Sequence, residues 1–194
     1  RDPPFPPGLP PPPPRSPPPP EPSPPPPPSP AAPPGWLPLL LDVFPGAERS
    51  WEVESTTHQV SACGSLGQLL GGYLHLGGGG YLQKTYTELP PHLTLRFQFV
   101  FVEIDSWDGE VAELLVDGAV AWKRSFTAGE GDFICGHQFF KELAVAVDVA
   151  VPHSGSTATV RIQTNLNGGA NDESWGIKDF LISARLPPPP PPPP

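Results

Sequence analysis

The chain has 194 residues, of which 35 are proline and none is methionine, and it carries a net charge of −9 at pH 7. An acidic chain repels nucleic-acid phosphates and anionic lipid, so the charge argues against nucleic acid and membrane surfaces as partners. The sequence also lacks an apolar run of about 18 residues, the length that a transmembrane helix needs. Because it has no initiating methionine, we expect a processed product or a segment of a longer chain.

Proline divides the chain into three parts. Residues 1–34 contain 22 prolines and residues 187–194 are all proline, whereas only five prolines lie between them. Proline fixes φ and has no backbone N–H donor, so runs of proline form extended polyproline II rods. We therefore predict polyproline II arms at 1–34 and 187–194, and one folded domain at 35–186. The charges of the first arm cancel, which assigns the whole net charge to the domain.

The first arm has a repeated phrasing in which a serine precedes a run of prolines. This phrasing resembles the Ser-(Pro)n modules of extensins and of algal hydroxyproline-rich glycoproteins such as pherophorins. The resemblance implies a secreted protein whose prolines are hydroxylated and carry O-linked glycans. The alternative is a rigid spacer or a ligand for proline-reading domains. The candidate glycosylation residues are Ser16, Pro17, Pro18, Pro19, Pro20, Ser23, Pro24, Pro25, Pro26, Pro27, Pro28, Ser29 and Pro30.

Alternation of apolar and polar residues predicts β strands through most of the domain. In residues 92–105, one face carries the apolar side chains and the other is polar, as in a half-buried antiparallel strand. The Asp117-Gly118 pair between apolar flanks predicts a tight hairpin. The expected core side chains of two of these segments are Leu93, Leu95, Phe97, Phe99 and Phe101, and then Ile177, Phe180 and Ile182.

Nine or ten strands are expected in all, and no long segment has a helical period. This number of short strands predicts an all-β fold, a jelly-roll-like antiparallel β-sandwich flanked by polyproline II arms. The candidate strands lie at 51–60, 69–76, 81–88, 92–105, 111–122, 143–151, 157–164 and 175–185.

The two cysteines, Cys63 and Cys135, are not spaced as metal ligands are. In an extracellular protein they are expected to form a disulfide bond. The alternative is a pair of buried free thiols.

Two acidic segments, 105–110 and 171–176, each place a tryptophan beside carboxylates. If the two segments meet, their oxygens could bind calcium, although the spacing is not that of an EF-hand. The alternatives are a glycosidase carboxylate pair and plain turn chemistry, in which Asp and Asn bond to their own backbone. The candidate calcium ligands are Asp105, Asp108, Glu110, Asp172 and Glu173.

The same segments contain the motifs SWDGE, at residues 106–110, and ESWGI, at residues 173–177. Over residues 51–186 they resemble a module of secreted eukaryotic microbial proteins, of the galactose-binding-like or carbohydrate-binding-module-like sandwich type. The resemblance implies the fold and an extracellular location, and it implies no activity.

Aromatic side chains in such a domain either stack on sugar rings or fill the core. Rings also pack well on proline. The candidates for docking a proline arm, from this chain or from a neighbouring copy, are Trp36, Tyr73, Tyr81 and Tyr86.

These features predict a secreted, non-enzymatic structural glycoprotein. Its arms would link domains head to tail in an open filament, as part of a fibre, cell wall or glycocalyx. The expected partners are other copies of the chain, covalent O-glycans and wall polysaccharide, and the expected cofactors are none or a structural calcium. The alternative is a lectin-like carbohydrate-binding module on a rigid proline-rich spacer, and a wall-modifying hydrolase comes third.

Overall fold

A computed structural model of the chain describes residues 32, 34–54 and 59–189. The predicted glycosylation residues therefore lie outside the described part, as do most of the first arm and the end of the second. Short 3₁₀ turns occur at Glu48–Ser50 and Gly64–Leu66. The described strands are β1 Leu37–Asp42, β2 Glu52–Val53, β3 Val60–Cys63, β4 Gly67–Gly71, β5 Tyr81–Tyr86, β6 Thr94–Asp105, β7 Asp108–Val116, β8 Ala119–Thr127, β9 Leu143–Pro152, β10 Ala158–Thr164 and β11 Glu173–Arg185.

The strands form two antiparallel sheets, which confirms the predicted all-β jelly-roll sandwich. The first sheet has the order β3-β4-β11-β6-β9, and β1 pairs with the half of β11 that β4 leaves free. The second sheet has the order β2-β5-β10-β7-β8. Within the described residues, no helix is long and apolar enough to cross a membrane.

The main core lies between the two sheets. The alternating residues of β6 supply much of it, since Leu95, Phe97, Phe99 and Phe101 are all buried there. Leu93 was also expected inside, but it is 53% exposed. Leu93 precedes the strand, where its backbone hydrogen-bonds to Arg185 and His153, so its side chain does not follow the alternation of β6.

Ile177, Phe180 and Ile182 of β11 are buried in the main core, as predicted. Residues 117 and 118 form the turn of the β7–β8 hairpin, also as predicted. A smaller second core contains Cys63, Leu69, Val102 and Ile104. Val102 and Ile104 alternate with the inward residues of β6, so this second core covers the outer face of the first sheet.

Three expected strands have different bounds. In segment 51–60 only Glu52–Val53 and Val60 are in strands, and residues 55–58 lie outside the described part. Segment 69–76 leaves the sheet at Gly71, because Gly71 and Gly72 have φ values of 82° and 95°, which favour glycine and start a turn. The strand expected at 81–88 ends at Tyr86.

The strand β1 was not expected, because its apolar run is short and contains Pro38. A proline is tolerated in it because β1 is paired only to β11 among the described strands, so one of its edges needs no ladder hydrogen bonds.

Strand register separates two ends of the sandwich. The arm end contains Leu37, Thr94 and Arg185, because Leu37 pairs with Ala184 and Thr94 with Arg185. The loop end contains the opposite termini of β6 and β11, where Asp105 pairs with Glu173. Both proline-rich segments therefore leave the domain at the arm end, and the connections at 72–80, 106–107, 128–142 and 165–172 lie together at the loop end.

Candidate functional site

The two acidic segments meet at the loop end, as their calcium interpretation requires. Ser106 donates its hydroxyl to Asp172 Oδ1 over 2.9 Å, and its backbone N–H to the Asp172 carbonyl over 3.3 Å. Trp107 and Trp175 pack beneath them, and Trp107 Nε1 donates to the Ser174 carbonyl over 3.0 Å. The two motifs thus hold the β6–β7 and β10–β11 connections together, and the tryptophan of each motif is fully buried.

The carboxylates of this region bond to the backbone. Glu110 Oε2 accepts from the Asp108 N–H over 2.7 Å, Glu173 Oε2 from the Gly168 N–H over 3.1 Å, and Asp105 Oδ1 from the His137 N–H over 2.6 Å. Asp108 and Asp172 are exposed. Across the described ranges, no three His, Cys, Asp or Glu side chains are grouped to hold a metal ion. The geometry is that of turn chemistry, and the calcium ligands stay a prediction.

A second set of acids, Glu103, Asp105 and Glu142, lies beneath the connection 128–142. Each side chain is almost completely buried and has one oxygen without a hydrogen-bond partner. Burial, with a smaller contribution from the nearby charges of Glu142 and Asp105, raises the pKa of Glu103 to about 8. Burial likewise raises the pKa of Asp105. Glu103 and Glu142 were not predicted, since neither the alternation of β6 nor the irregular connection 128–142 marks one of its residues as a buried acid.

The connection 128–142 is fixed from below by these acids. Glu142 Oε2 accepts from the backbone N–H groups of Ile134 and Cys135. Gly136 lies so close to the carboxylates that an added Cβ would come within 2.3 Å of Asp105 Oδ1 and 2.5 Å of Glu142 Oε1. Only glycine fits at this position, because any side chain would displace the carboxylates or the connection.

A disulfide fixes the same connection from the side. Cys63 and Cys135 are bonded, as predicted, with 4.7 Å between their Cα atoms and a sequence separation of 72. Cys63 belongs to the second core, so the bond ties the connection to the outer face of the first sheet. The connection is therefore held at its centre by a covalent bond and by charged hydrogen bonds.

The anchored connection exposes three phenylalanines. Phe133 is 65% exposed, Phe139 74% and Phe140 36%, and the His137 ring lies 5.1 Å from that of Phe139. A cavity of about 210 Å³ opens between Phe133 and Phe140, and its other lining residues are Ile134, Cys135, Gly136, His137, Gln138 and Glu142. Exposing phenyl rings to water on a rigid loop is unfavourable and adds nothing to the core, which is typical of a binding surface. We call residues 133–140 the aromatic loop and take it as the candidate site. The sequence signal that could have found it is FICGHQFF, where aromatic residues break the β alternation.

The aromatic residues expected to dock a proline arm have other contacts. Arg161 lies over the Tyr81 ring at 3.6 Å, and Arg96 over the Trp36 ring at 5.5 Å. Tyr86 is buried, and its hydroxyl donates to Asp42 Oδ2 over 3.3 Å. Tyr73 packs on the second core. Arm docking stays a prediction, since the arm residues themselves lie outside the described part.

No family profile matches the chain, and no curated protein matches it. Its sandwich is similar to solved carbohydrate-binding structures at low identity. The CBM22-1 xylan-binding domain of Xyn10C from Paenibacillus barcinonensis matches at 12% identity and a TM-score of 0.48, over 77% of this chain and 96% of that one. A CBM36 module in complex with calcium and xylotriose matches at 10% identity and 0.43, over 74% and 99%.

The CBM22-1–GH10 part of xylanase 10B from Clostridium thermocellum, complexed with xylohexaose, matches at 12% identity and a TM-score of 0.48. That match covers 76% of this chain and 28% of the xylanase chain, so this chain spans less than a third of its length. At these values the three similarities carry no information about the ligand of this chain.

Proposed function

We propose that the domain is a carbohydrate-binding module whose binding site is the aromatic loop. The observation that carries the proposal is the exposure of Phe133, Phe139 and Phe140 on a loop held by a disulfide and by buried carboxylates. The C–H faces of a sugar ring pack on flat aromatic faces, and a rigid aromatic platform binds without losing conformational entropy. The polar His137 and Gln138 in the same cavity supply hydrogen bonds to sugar hydroxyls.

The negative charge of the loop end determines which glycans the site favours. Glu130, Asp132, Asp108 and Asp172 are exposed around the site, and the buried acids lie beneath it. Lys141 provides a nearby cation, with its Nζ 6.0 Å from the centre of the Phe133 ring. Because acidic groups outnumber basic ones here, uronate and sulfated glycans are repelled and neutral glycans are favoured.

The proline-rich segments support a second role, that of a secreted structural glycoprotein. Both segments leave at the arm end, so the aromatic loop faces away from them. We propose that hydroxylated and glycosylated proline rods hold the domain in an extracellular fibre, wall or glycocalyx, where it binds neutral wall polysaccharide or glycans of neighbouring copies. In this arrangement the domain binds glycan and catalyses no reaction.

The test is affinity electrophoresis and glycan-array binding of the full chain, with neutral and acidic polysaccharides compared. Phe133→Ala and Phe139→Ala are each expected to weaken binding about 10-fold, which corresponds to about 1.4 kcal/mol. Val120→Ala is the matched control, since Val120 is a 55% exposed apolar residue on β8, near the arm end. If both phenylalanine variants bind glycan as the wild type does, the aromatic loop is not the binding site. If the variants lose self-association instead, the loop binds a protein partner.

A further inference from the structure

Two histidines at the arm end form a chain of hydrogen bonds between three loops. His92 Nδ1 lies 2.6 Å from the Pro90 carbonyl, and His92 Nε2 lies 2.7 Å from His153 Nδ1. His153 Nε2 lies 3.1 Å from Asp117 Oδ2. The rings are 6° from parallel with centroids 5.0 Å apart, so they meet edge to edge through the facing nitrogens rather than face to face.

The ends of this chain fix where two of its protons lie. The Pro90 carbonyl can only accept, so His92 Nδ1 must carry a hydrogen. An ionised Asp117 can also only accept, so His153 Nε2 must carry one as well. If both imidazoles were neutral, His92 Nε2 and His153 Nδ1 would then face each other with bare lone pairs over 2.7 Å.

The central contact therefore needs a third proton. With it, the two rings carry one positive charge, which the adjacent Asp117 carboxylate balances. If Asp117 were instead protonated and donated to His153, the three groups would still hold the same number of protons. Either way, His92, His153 and Asp117 together hold one proton more than two neutral imidazoles and a carboxylate do.

The same residues hold the loops of the arm end together. Asp117 Oδ1 accepts the Thr159 N–H over 2.8 Å, and the Asp117 N–H donates to the Thr159 carbonyl over 2.8 Å. The His153 N–H donates to the Leu93 carbonyl over 3.2 Å. The β5–β6 connection, the β7–β8 turn and the start of the β9–β10 connection thus meet at the two rings.

We propose that this histidine pair is a proton-operated clamp at the arm end, closed while the shared proton is present and open once it is lost to solvent. Histidine is the side chain that ordinarily changes charge between about pH 5 and 8. Because His92 is 3% exposed, loss of the proton leaves facing lone pairs that water cannot easily separate, and the rings must move apart. The three connections that meet at the rings, at the same end of the sandwich as the start of β1 and the end of β11, would loosen together.

Few other charges bear on the pair. Among the described residues, Asp117 is the one ionisable side chain hydrogen-bonded to either ring. The three connections that meet at the rings carry one other charged residue among those the structure describes, Glu88, which is exposed, and Arg185 at the end of β11 is exposed as well. The proton count thus depends on the two rings and Asp117.

The test is NMR of the full chain with ¹⁵N-labelled histidine. At about pH 5–6 we expect a ¹⁵N–¹⁵N coupling across the hydrogen bond between His92 Nε2 and His153 Nδ1. As the pH is raised, this coupling should vanish in a single step, and the backbone amide of Thr159 should shift in the same step. Two rings that titrate separately, with no coupling at any pH, would overturn the proposal.

A substitution gives an independent test. Asp117→Asn keeps the shape of the side chain, but with its oxygen on the Thr159 N–H its amide NH2 faces His153 Nε2 and donates to it. His153 Nδ1 then carries a hydrogen while both rings are neutral, so the coupling should persist to higher pH than in the unsubstituted chain. Asp148→Asn is the matched control, because Asp148 is an exposed carboxylate on β9 whose partner is Arg96. An unchanged step in the Asp117 variant, or an equal shift in the control, would contradict the clamp.

Discussion

Leu37 in β1 lies directly opposite Ala184 in β11, in antiparallel register. The chain therefore enters and leaves the domain side by side. An in-line joint of a filament needs its two ends on opposite sides, so the register favours a domain that projects sideways from a proline-rich chain. The head-to-tail filament expected from the sequence stays a prediction; with its two ends side by side, the domain would project laterally from such a filament.

A cross-linking experiment tests this register. Paired antiparallel residues have Cα atoms about 4.5–5.5 Å apart, within the range of about 4.4–6.8 Å that a disulfide spans. A Leu37→Cys, Ala184→Cys double variant should therefore form an intramolecular disulfide, read by mass spectrometry of unreduced peptides. A Leu37→Cys, Ala170→Cys variant, with its second cysteine at the loop end, should not. Cross-links found only between molecules would show that β1 pairs with another copy.

Gly136 is expected to be essential to the aromatic loop. Gly136→Ala would place a methyl group against Asp105 and Glu142, and such overpacking costs about 1–3 kcal/mol. We expect a lower melting temperature and loss of glycan binding. In the control Gly169→Ala, the nearest atom is the side-chain oxygen of Asn171, which can turn away. Equal stability of the two variants would mean that the carboxylates do not support the loop.

Asp42 is expected to be a major stabilising residue of the sandwich. It is buried, and its Oδ2 accepts from Trp51 Nε1 over 3.0 Å and from Lys84 Nζ over 2.7 Å. Asp42→Ala would leave the Lys84 charge without its partner, which typically costs about 3–5 kcal/mol.

Asp148→Ala breaks a more exposed pair with Arg96, and exposed pairs contribute about 0–1 kcal/mol. The two variants are compared by denaturant unfolding. Similar losses of stability in both would refute a special role for Asp42.

The sequence predicted the elements whose chemistry is local. Alternation in β6 identified Phe97 and Phe99 as core residues, because a strand with one buried face must alternate. The hairpin at Asp117-Gly118 was also predictable, since two residues with positive φ suffice to define it.

Other features depend on contacts between distant segments. The burial of Glu142 requires that connection 128–142 fold back on the end of β6, which no local pattern shows. The exposure of Phe139 could not be predicted either, because in a β-rich sequence phenylalanine is normally a core residue. The acidic motifs predicted a calcium site, although their carboxylates mostly accept hydrogen bonds from the backbone.

Glu103 makes stability depend on pH. Its folded-state pKa is raised from 4.5 to about 8, so between these values the folded state binds a proton that the unfolded state has lost. Stability contributed in this way falls as the pH rises from about 4.5 to 8. Glu103→Gln cannot ionise, and its side-chain oxygen can still accept the Leu143 N–H. We expect a smaller fall in melting temperature over this interval than in the wild type.

The matched control for this pH profile is Glu113→Gln, since Glu113 is paired with Lys123 near the surface and its pKa is lowered by that contact. Its profile above pH 5 should follow the wild type. If Glu103→Gln also followed the wild type, Glu103 would be ionised in the folded protein.

NMR titration of the full chain measures directly whether the aromatic loop binds a neutral glycan. Addition of neutral xylan or galactan oligosaccharides should give saturable shifts in the amides of residues 133–140, with no shifts at the β7–β8 turn. The Phe139→Ala variant should lose most of these shifts, and an oligogalacturonide of equal length should cause few. Saturable shifts that lie elsewhere on the sandwich, or none with any neutral glycan, would contradict the account.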